Sequence, residues 1–544
     1  MHHALYLEEI LLNIFGHCSP PESLHRLSQR RRYTADLAVL ARTCQTFKEP
    51  ALNLLWKELV DLSPLARCLP EACRSFGKVL VFVMDGFHEC LCLSSQSHSF
   101  SRLLNEAEWD TLRRYTRRVR FIRGFSSFLG SLDDNSVRAV FNPPFADPLF
   151  PNLRSLYWRD ITRFPVVHVA APSLTSLDLN LRFPPGGISL CENFLDSAGD
   201  LCPNIKWFRI CFFGHHPFNE TVSRNVCRWT NLQIVDCRDI TLNADALTHL
   251  SSMSTLKSLS FTLCAEVAEH ISPFGSVFVF SHLAYLEIVS ESLEPVTGLF
   301  SRIRLPAVRG LVVQILRRPS KQIVEAYSTA TRNTCPSDTL IHFKLLNIRA
   351  QIWNTINLNL HQQTRHQLTL DIILPCTVFD NLRGIHINLK WSVRLTDAEL
   401  LDLVSASPRI EHLIINDMWG WRTDGGITLT GLLQLLQKCP LLYDFCLAID
   451  TRTYTQIPEG LDVRFPARTR LWMNIVDSHI GLADVPALVF VFTELGLDPA
   501  IFMAWNGSDI ENLAGAGFAK YLWENVYRQV REAHFEQSLV SETQ

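Results

Sequence analysis

Residues 395–415 read L-T-D-A-E-L-L-D-L-V-S-A-S-P-R-I-E-H-L-I-I, and one complete structural unit is legible in them. Thr396 and Glu399 have the spacing of a capping box, in which each side chain satisfies the other residue's backbone N–H at a helix start. Leu400, Leu403 and Val404 then fall on one helical face. Pro408 ends that helix, because proline lacks the N–H that an interior turn donates. Ile410-x-x-Leu413-x-Ile415 follows as a short strand. The next unit has the same order: Leu432, Leu435, Leu436 and Cys439 mark a helix face, Pro440 breaks it, and Leu442-x-x-Phe445-x-Leu447 forms the strand.

Outward from this pair, the phrase apolar-x-x-apolar-x-apolar recurs eleven times. It starts at Leu153, Leu174, Ile205, Leu232, Leu256, Leu283, Val308, Leu340, Leu382, Ile410 and Leu442, at steps of 21 to 42 residues. Six starts follow a proline by two residues: Pro151, Pro172, Pro203, Pro306, Pro408 and Pro440. A helix–strand unit of this size cannot bury its apolar face alone and must stack on its neighbours. The alternation resembles irregular leucine-rich repeats. The competing reading is an ordinary α/β domain with coincidental triplets, but no dinucleotide or phosphate loop accompanies the strands. The expected fold class is α/β: a three-helix N-terminal module followed by an irregular leucine-rich-repeat solenoid.

The expected boundaries are a module at 1–62, a transitional helical linker at 63–118, the solenoid at 119–495, and a cap helix and tail at 496–544. In the linker, W-D-T-L-R-R-Y-T-R-R-V-R-F-I-R reads as a helix running into a degenerate first strand near Val119–Ile122. In the tail, Phe518, Tyr521, Leu522, Val526 and Val530 trace the cap helix.

Composition narrows the function classes. The chain has 544 residues, 47% hydrophobic and 19% charged, with net charge −3, so no global field points to nucleic acid or an acidic membrane. Sixteen scattered cysteines read as reduced core residues of the cytoplasm or nucleus. No stretch reaches the ~20 apolar residues of a membrane span, and the N-terminus lacks the pattern of a secretory signal. The sequons at Asn219 and Asn506 read as chance matches.

The N-terminal module shows three apolar stripes at helical spacing. They are Leu7, Ile10, Leu11, Ile14 and Phe15; then Leu37, Leu40, Ala41 and Cys44; then Leu52, Leu55, Trp56 and Leu59, with Pro50 expected in the first turn. The opening M-H-H-A-L-Y-L-E-E-I-L-L-N-I-F and the phrase D-L-A-V-L-A-R-T-C-Q-T-F-K-E-P-A-L-N-L-L-W, combined with the repeats, resemble the F-box leucine-rich-repeat proteins of mushroom-forming fungi. Tyr6, Leu7 and Glu8 stand where that family commonly has a Leu-Pro pair before the glutamate, and Pro20–Ala35 lengthens the first connection.

The resemblance implies docking on a Skp-type adaptor, and through it a cullin, with the repeats holding a protein substrate for ubiquitin transfer by other subunits. It implies no catalytic residue and no cofactor. By position, the adaptor-facing or module-core residues are Leu7, Ile10, Leu11, Ile14, Phe15, Leu40, Cys44, Phe47, Leu52, Leu55 and Trp56, with Trp56 the foremost anchor because large aromatics dominate interface energies. The alternatives are an adaptor-bound scaffold outside any ligase and a diverged repeat-based binding module.

Side chains alternate along a strand, so residues between the core positions face the open side. There the expected substrate contacts are Tyr157, Arg159, Asp178, Trp207, Arg209, Asp236 and Arg238. Tyr285, Glu287, His342, Lys344, His386, Asn388, His412 and Asn416 are expected on the same face further along. A solvated idle face has a similar composition.

Other chemistry has weaker support. Trp419 and Trp421, in D-M-W-G-W-R-T-D-G-G, form either a contact loop or a packed repeat edge. The run Arg113, Arg114, Arg117, Arg118, Arg120 and Arg123 reads as a solvated, charge-paired helix more readily than as a phosphate stripe. Gln29–Arg32 reads as an exposed loop. His88, Cys90 and Cys92, and separately His215 and His216, lack a second ligand pair at zinc spacing, so no metal site is expected. No nucleophile elbow, phosphate loop or His-Glu-x-x-His helix occurs.

Overall fold

The computed structural model describes the whole chain except residues 1–6, 18–26, 61, 72–73, 86–87, 101, 125–135, 137–138, 141, 160–168, 183–187, 214–217, 271–276, 349–365, 423–425, 452–470, 495–498, 507–508 and 543–544. It divides into two compact units, Met1–Leu256 and Lys257–Gln544.

The first unit opens with three helices: α1 (Glu8–Gly16), α2 (Leu27–Thr43) and α3 (Gln45–Leu55). A ladder of strands follows in chain order: β1 (Glu58–Leu59), β2 (Phe121–Gly124), β3 (Ser155–Arg159), β4 (Ser176–Arg182), β5 (Trp207–Phe213) and β6 (Ile234–Thr241). Every neighbouring pair is parallel. Leu59, Ile122, Leu156, Leu177, Phe208 and Val235 stand in one register line, all buried. Parallel strands need a return crossover; helices at Ile188–Leu201 and Asn219–Arg228 supply it between β4 and β5 and between β5 and β6, and a further helix, Ala244–Ser251, follows β6.

The second unit repeats this plan with nine strands, again in chain order and parallel: β7 (Ser258–Leu263), β8 (Tyr285–Ser290), β9 (Gly310–Ile315), β10 (His342–Asn347), β11 (Gly384–Asn388), β12 (His412–Ile415), β13 (Asp444–Cys446), β14 (Leu471–Asn474) and β15 (Pro499–Met503). Its central core line is Leu259, Leu286, Leu311, Phe343, Ile385, Leu413, Phe445 and Met473. The helix Asp397–Ser405 carries the expected capping box: Glu399 N–H donates to Thr396 Oγ1 at 3.3 Å and Thr396 N–H donates to Glu399 Oε2 at 2.8 Å.

All eleven triplet starts are buried, and each precedes its strand by two residues. After the first three of the prolines before them, the next residue donates across the repeat: Asn152 Nδ2 to Arg117 O (2.9 Å), Ser173 Oγ to Pro151 O (3.0 Å) and Asn204 Nδ2 to Pro172 O (3.1 Å). These bonds satisfy turn carbonyls that the ladder leaves free.

Several expectations need correction. The ladder begins at Glu58, ahead of residue 119, because a two-residue strand pairs with Phe121–Ile122. It extends past 495, where Pro499–Met503 adds a strand to Leu471–Asn474. The 63–118 stretch is not purely helical: Arg74–Asp85 and His88–Phe100 form an antiparallel hairpin. Pro50 sits inside α3, which starts five residues earlier with Cys44 extended at its N-cap. The third stripe breaks at Leu55, and Leu59 belongs to β1. Gln29–Arg32 lies in the first turns of α2 rather than in a loop. In the C-terminal helix Ala516–Glu542, Leu522, Val526 and Val530 are buried, but Phe518 and Tyr521 point to solvent.

Candidate functional site

The N-terminal helices build a small core of their own. Leu11, Phe15, Leu37 and Ala51 are buried, with Leu40, Ala41, Phe47, Leu54 and Leu55 packed against them. Phe15 meets Phe47 edge to face at 5.2 Å. Ile10, Cys44 and Leu52 are half-buried. Leu7 and Ile14 remain 53% and 46% exposed, so Leu7, Ile10 and Ile14 form an apolar strip along α1. Val39 on α2 is also exposed, a position that the helical stripes passed over.

Trp56 is not a free anchor. It is 8% exposed and lies 4.6 Å from the Tyr115 ring, on the helix Glu106–Thr116. Arg118 adds a second link to that stretch, donating to Asn53 Oδ1 and, at 2.6 Å, to Glu49 Oε2. The hydrogen bond from Arg118 holds the Glu49 carboxyl below its ordinary range.

On the open face of the first unit, Tyr157, Asp178, Arg209 and Asp236 align strand by strand. Their charges are largely spent on each other. Arg238 binds Asp236 through both carboxylate oxygens at 2.9 Å, and Arg209 bridges Asp236 at 3.3 Å and Asp178 at 3.9 Å. Trp207, two residues before Arg209 on β5, is 47% exposed. The Arg159 side chain lies outside the described residues.

The open face of the second unit carries a hydrogen-bonded cluster. Asp444 Oδ2 lies 3.0 Å from His412 Nδ1, and Tyr443 Oη lies 2.7 Å from His412 Nε2. His342 stands two strands from His412, their rings 6.1 Å apart across Gly384. The close approach depends on glycine, since a Cβ on Gly384 would meet His342 Nδ1 at 2.5 Å and displace the ring. Burial, with His412 next, lowers the His342 pKa. His386 and Asn388 both contact Asp417 Oδ1, at 3.1 and 2.9 Å. Burial opposes ionisation of Asp417, but the His386 and Asn388 bonds outweigh it and its pKa is lowered. Glu287, by contrast, is buried and accepts from Tyr285, Ser260 and Gln314. Asn416 is also buried, in the left-handed region at φ 53°, bonded to Leu389 N and Trp391 O. It is a repeat-corner residue rather than part of the open face.

The tryptophan loop belongs to the repeat edge. Trp421 is buried and donates to Ile415 O at 3.1 Å. Trp419 is covered by two guanidinium groups, Arg422 at 3.5 Å and Arg318 at 4.5 Å. The arginine run divides: Arg113, Arg118 and Arg123 form ion pairs, Arg113 with Asp110 at 3.9 Å while its guanidinium also covers Phe145 at 3.7 Å, and Arg114, Arg117 and Arg120 form no ion pair among the described residues. The side chains of His88, Cys90 and Cys92, and residues His215 and His216, lie outside the described residues. Among the described residues, no group of three or more His, Cys, Asp or Glu is placed to hold a metal ion, and no helix is long and apolar enough to cross a membrane.

No family model and no curated protein matches the chain. Among solved structures, the Rad7–Elc1 complex of yeast is similar at 14% identity, covering 65% of this chain and 91% of that chain, with a TM-score of 0.32. The TLR13–ssRNA13 complex is similar at 9% identity, covering 69% of this chain and 51% of that chain, with a TM-score of 0.27. At these values neither assigns the chain to a family or an activity.

Proposed function

We propose that this chain is the substrate-recognition subunit of an SCF-type cullin–RING ubiquitin ligase, with α1–α3 docking on a Skp-type adaptor and the strand faces holding a protein substrate. The observation that supports this reading best is the α1 strip. Leu7 and Ile14 are exposed on a helical module that already has its own core, so they are available to a partner. Exposed apolar residues in a contiguous strip mark interaction surfaces. On this reading the chain contributes no catalytic group and works by proximity, raising the effective concentration of substrate near the ubiquitin donor. The working compartment is the cytoplasm or the nucleus.

The test is co-purification of the full chain with a Skp-type adaptor and a cullin, beside Leu7→Asp/Ile14→Asp. Both residues are exposed, so the double variant retains the wild-type melting profile. Capture of adaptor and cullin by the wild type and their loss from the variant supports the reading. Capture of adaptor without cullin makes the chain a scaffold, and capture of neither leaves a repeat-based binding module.

A further inference from the structure

The N-terminal edge of the β1–β6 ladder carries a row of cations. Backbone bonds join Arg120 N to Lys57 O, Arg154 N to Arg120 O, Thr175 N to Arg154 O, and Lys206 N to Thr175 O, at 2.8–2.9 Å. Lys57, Arg120, Arg154 and Lys206 therefore occupy equivalent positions at the head of β1, β2, β3 and β5. None of the four forms an ion pair among the described residues. The nearby carboxylates are committed elsewhere: Glu58 to Arg123 at 3.0 Å, and Asp178 and Asp236 to Arg209 and Arg238. Burial first, and then the neighbouring Arg154, lower the Arg120 pKa; its guanidinium donates to the carbonyls of Arg117 at 3.2 Å and Asn152 at 3.4 Å, and to no carboxylate among the described residues. The proline turns and their Asn152, Ser173 and Asn204 bonds fix the backbone beneath the row.

We infer that this edge binds an extended acidic polypeptide segment, and on the reading proposed above that segment belongs to the substrate. Neighbouring strands are about 4.8 Å apart, so the row spans roughly 19 Å, the length of about six extended residues. Acidic side chains along that length meet the row through the long Lys and Arg side chains, without one-to-one register, because alternate extended residues are about 6.6 Å apart, and an apolar side chain meets exposed Trp207 beside Lys206. A nucleic acid fits less well. The row is one cation wide, and Asp178 and Asp236 lie two positions along their strands, where a second phosphate strand would pass. Single-stranded nucleic acid also favours successive stacking aromatics, and among the described residues of 1–256 Trp207 is the one largely exposed aromatic.

The experiment measures fluorescence anisotropy of the full chain with a labelled ten-residue peptide alternating Glu with Ala and Leu. Its phosphoserine counterpart and a ten-nucleotide single-stranded DNA are run beside it. Arg120→Gln/Arg154→Gln/Lys206→Gln is the variant, with an unchanged melting profile as the folding control. The expected result is peptide binding that weakens with salt and falls at least tenfold in the variant; the two peptides tell carboxylate from phosphoryl recognition. Wild type that binds neither peptide, a variant that binds like wild type, or tighter binding of the oligonucleotide overturns the inference. Adaptor capture, run on the same variant, is independent of these residues. Its loss from the wild type undoes the ligase reading, whereas its retention beside a failed peptide experiment undoes only the acidic-segment site.

Discussion

Arg118 and Glu49 meet at 2.6 Å, and the two ends of the bond differ sharply: the Arg118 side chain is 5% exposed and that of Glu49 57%. The buried end carries the stability. Arg118→Ala also strips Asn53 of its donor, and is expected to cost about 1.5–3 kcal/mol in urea unfolding. Glu49→Ala is expected to cost under about 1 kcal/mol, as exposed ion pairs do. Because the Glu49 carboxyl is lowered in the fold, its small contribution is present above the usual carboxylate pKa and fades as pH falls through the lowered value. A larger penalty for Glu49→Ala than for Arg118→Ala would contradict this asymmetry.

Trp56→Ala is expected to behave as a core substitution, costing about 3–5 kcal/mol. Trp56 packs against Tyr115, so limited proteolysis between α3 and residue 106 should accelerate in the variant. Leu7→Asp should leave cleavage at the wild-type rate. Equal cleavage of Trp56→Ala and wild type would show that this contact is dispensable.

Asp477 accepts both the Trp421 and Arg422 N–H groups at 2.7 Å, across the turn at Gly420 with φ +78°. Asp477→Ala leaves two amides without their acceptor and is expected to destabilise the fold by about 2–4 kcal/mol. Hydrogen exchange at Trp421 and Arg422 should quicken selectively; unchanged protection at both would mean that other groups hold the loop.

Burial, and then neighbouring His412, lower the His342 pKa in the fold. The unfolded chain binds this proton more readily, so the fold loses stability as pH falls through about 6.5 toward the lowered folded value, and is unaffected by this group above that window. His342→Gln should flatten the decline in melting temperature between pH 7 and 5. A variant with the wild-type slope would assign the decline to other groups.

Burial raises the thiol pKa of Cys191 and Cys335 to about 12 and of Cys202 and Cys376 to about 11. The thiolate is the reactive form. Iodoacetamide at pH 7.5 should therefore leave these four unmodified in the folded protein and alkylate them in urea. Their modification without denaturant, read by peptide mass spectrometry, would show that these regions open locally.

The eleven central strands were legible because each leucine triplet demands burial at three fixed positions, and a parallel ladder offers that burial at every repeat. Thr396 and Glu399 likewise announced their helix, since capping needs neighbours only three residues apart. The added strands at Glu58, Leu471 and Pro499 were not legible. They are two to five residues long and are defined by the backbone beside them rather than by their own pattern. Tyr157, Asp178, Arg209 and Asp236 were placed on the open face from alternation alone, yet alternation said nothing of the bonds that tie Arg209 and Arg238 to the aspartates.

What the sequence by itself determined is which residues turn inward along the repeats, because period and burial are local to each unit. Only the tertiary structure decided which apolar residues of the helical module stay outside. Leu7 at the N-cap of α1 and Phe15 within it have the same hydrophobic character, but α3 brings Phe47 onto Phe15, whereas Leu7 stays 53% exposed. The same holds for charge. Arg118 and Arg120 are two residues apart, and the chain folds Glu49 back onto the first while leaving the second beside Arg154. Pairing depends on distances across the fold, which spacing along the chain does not encode.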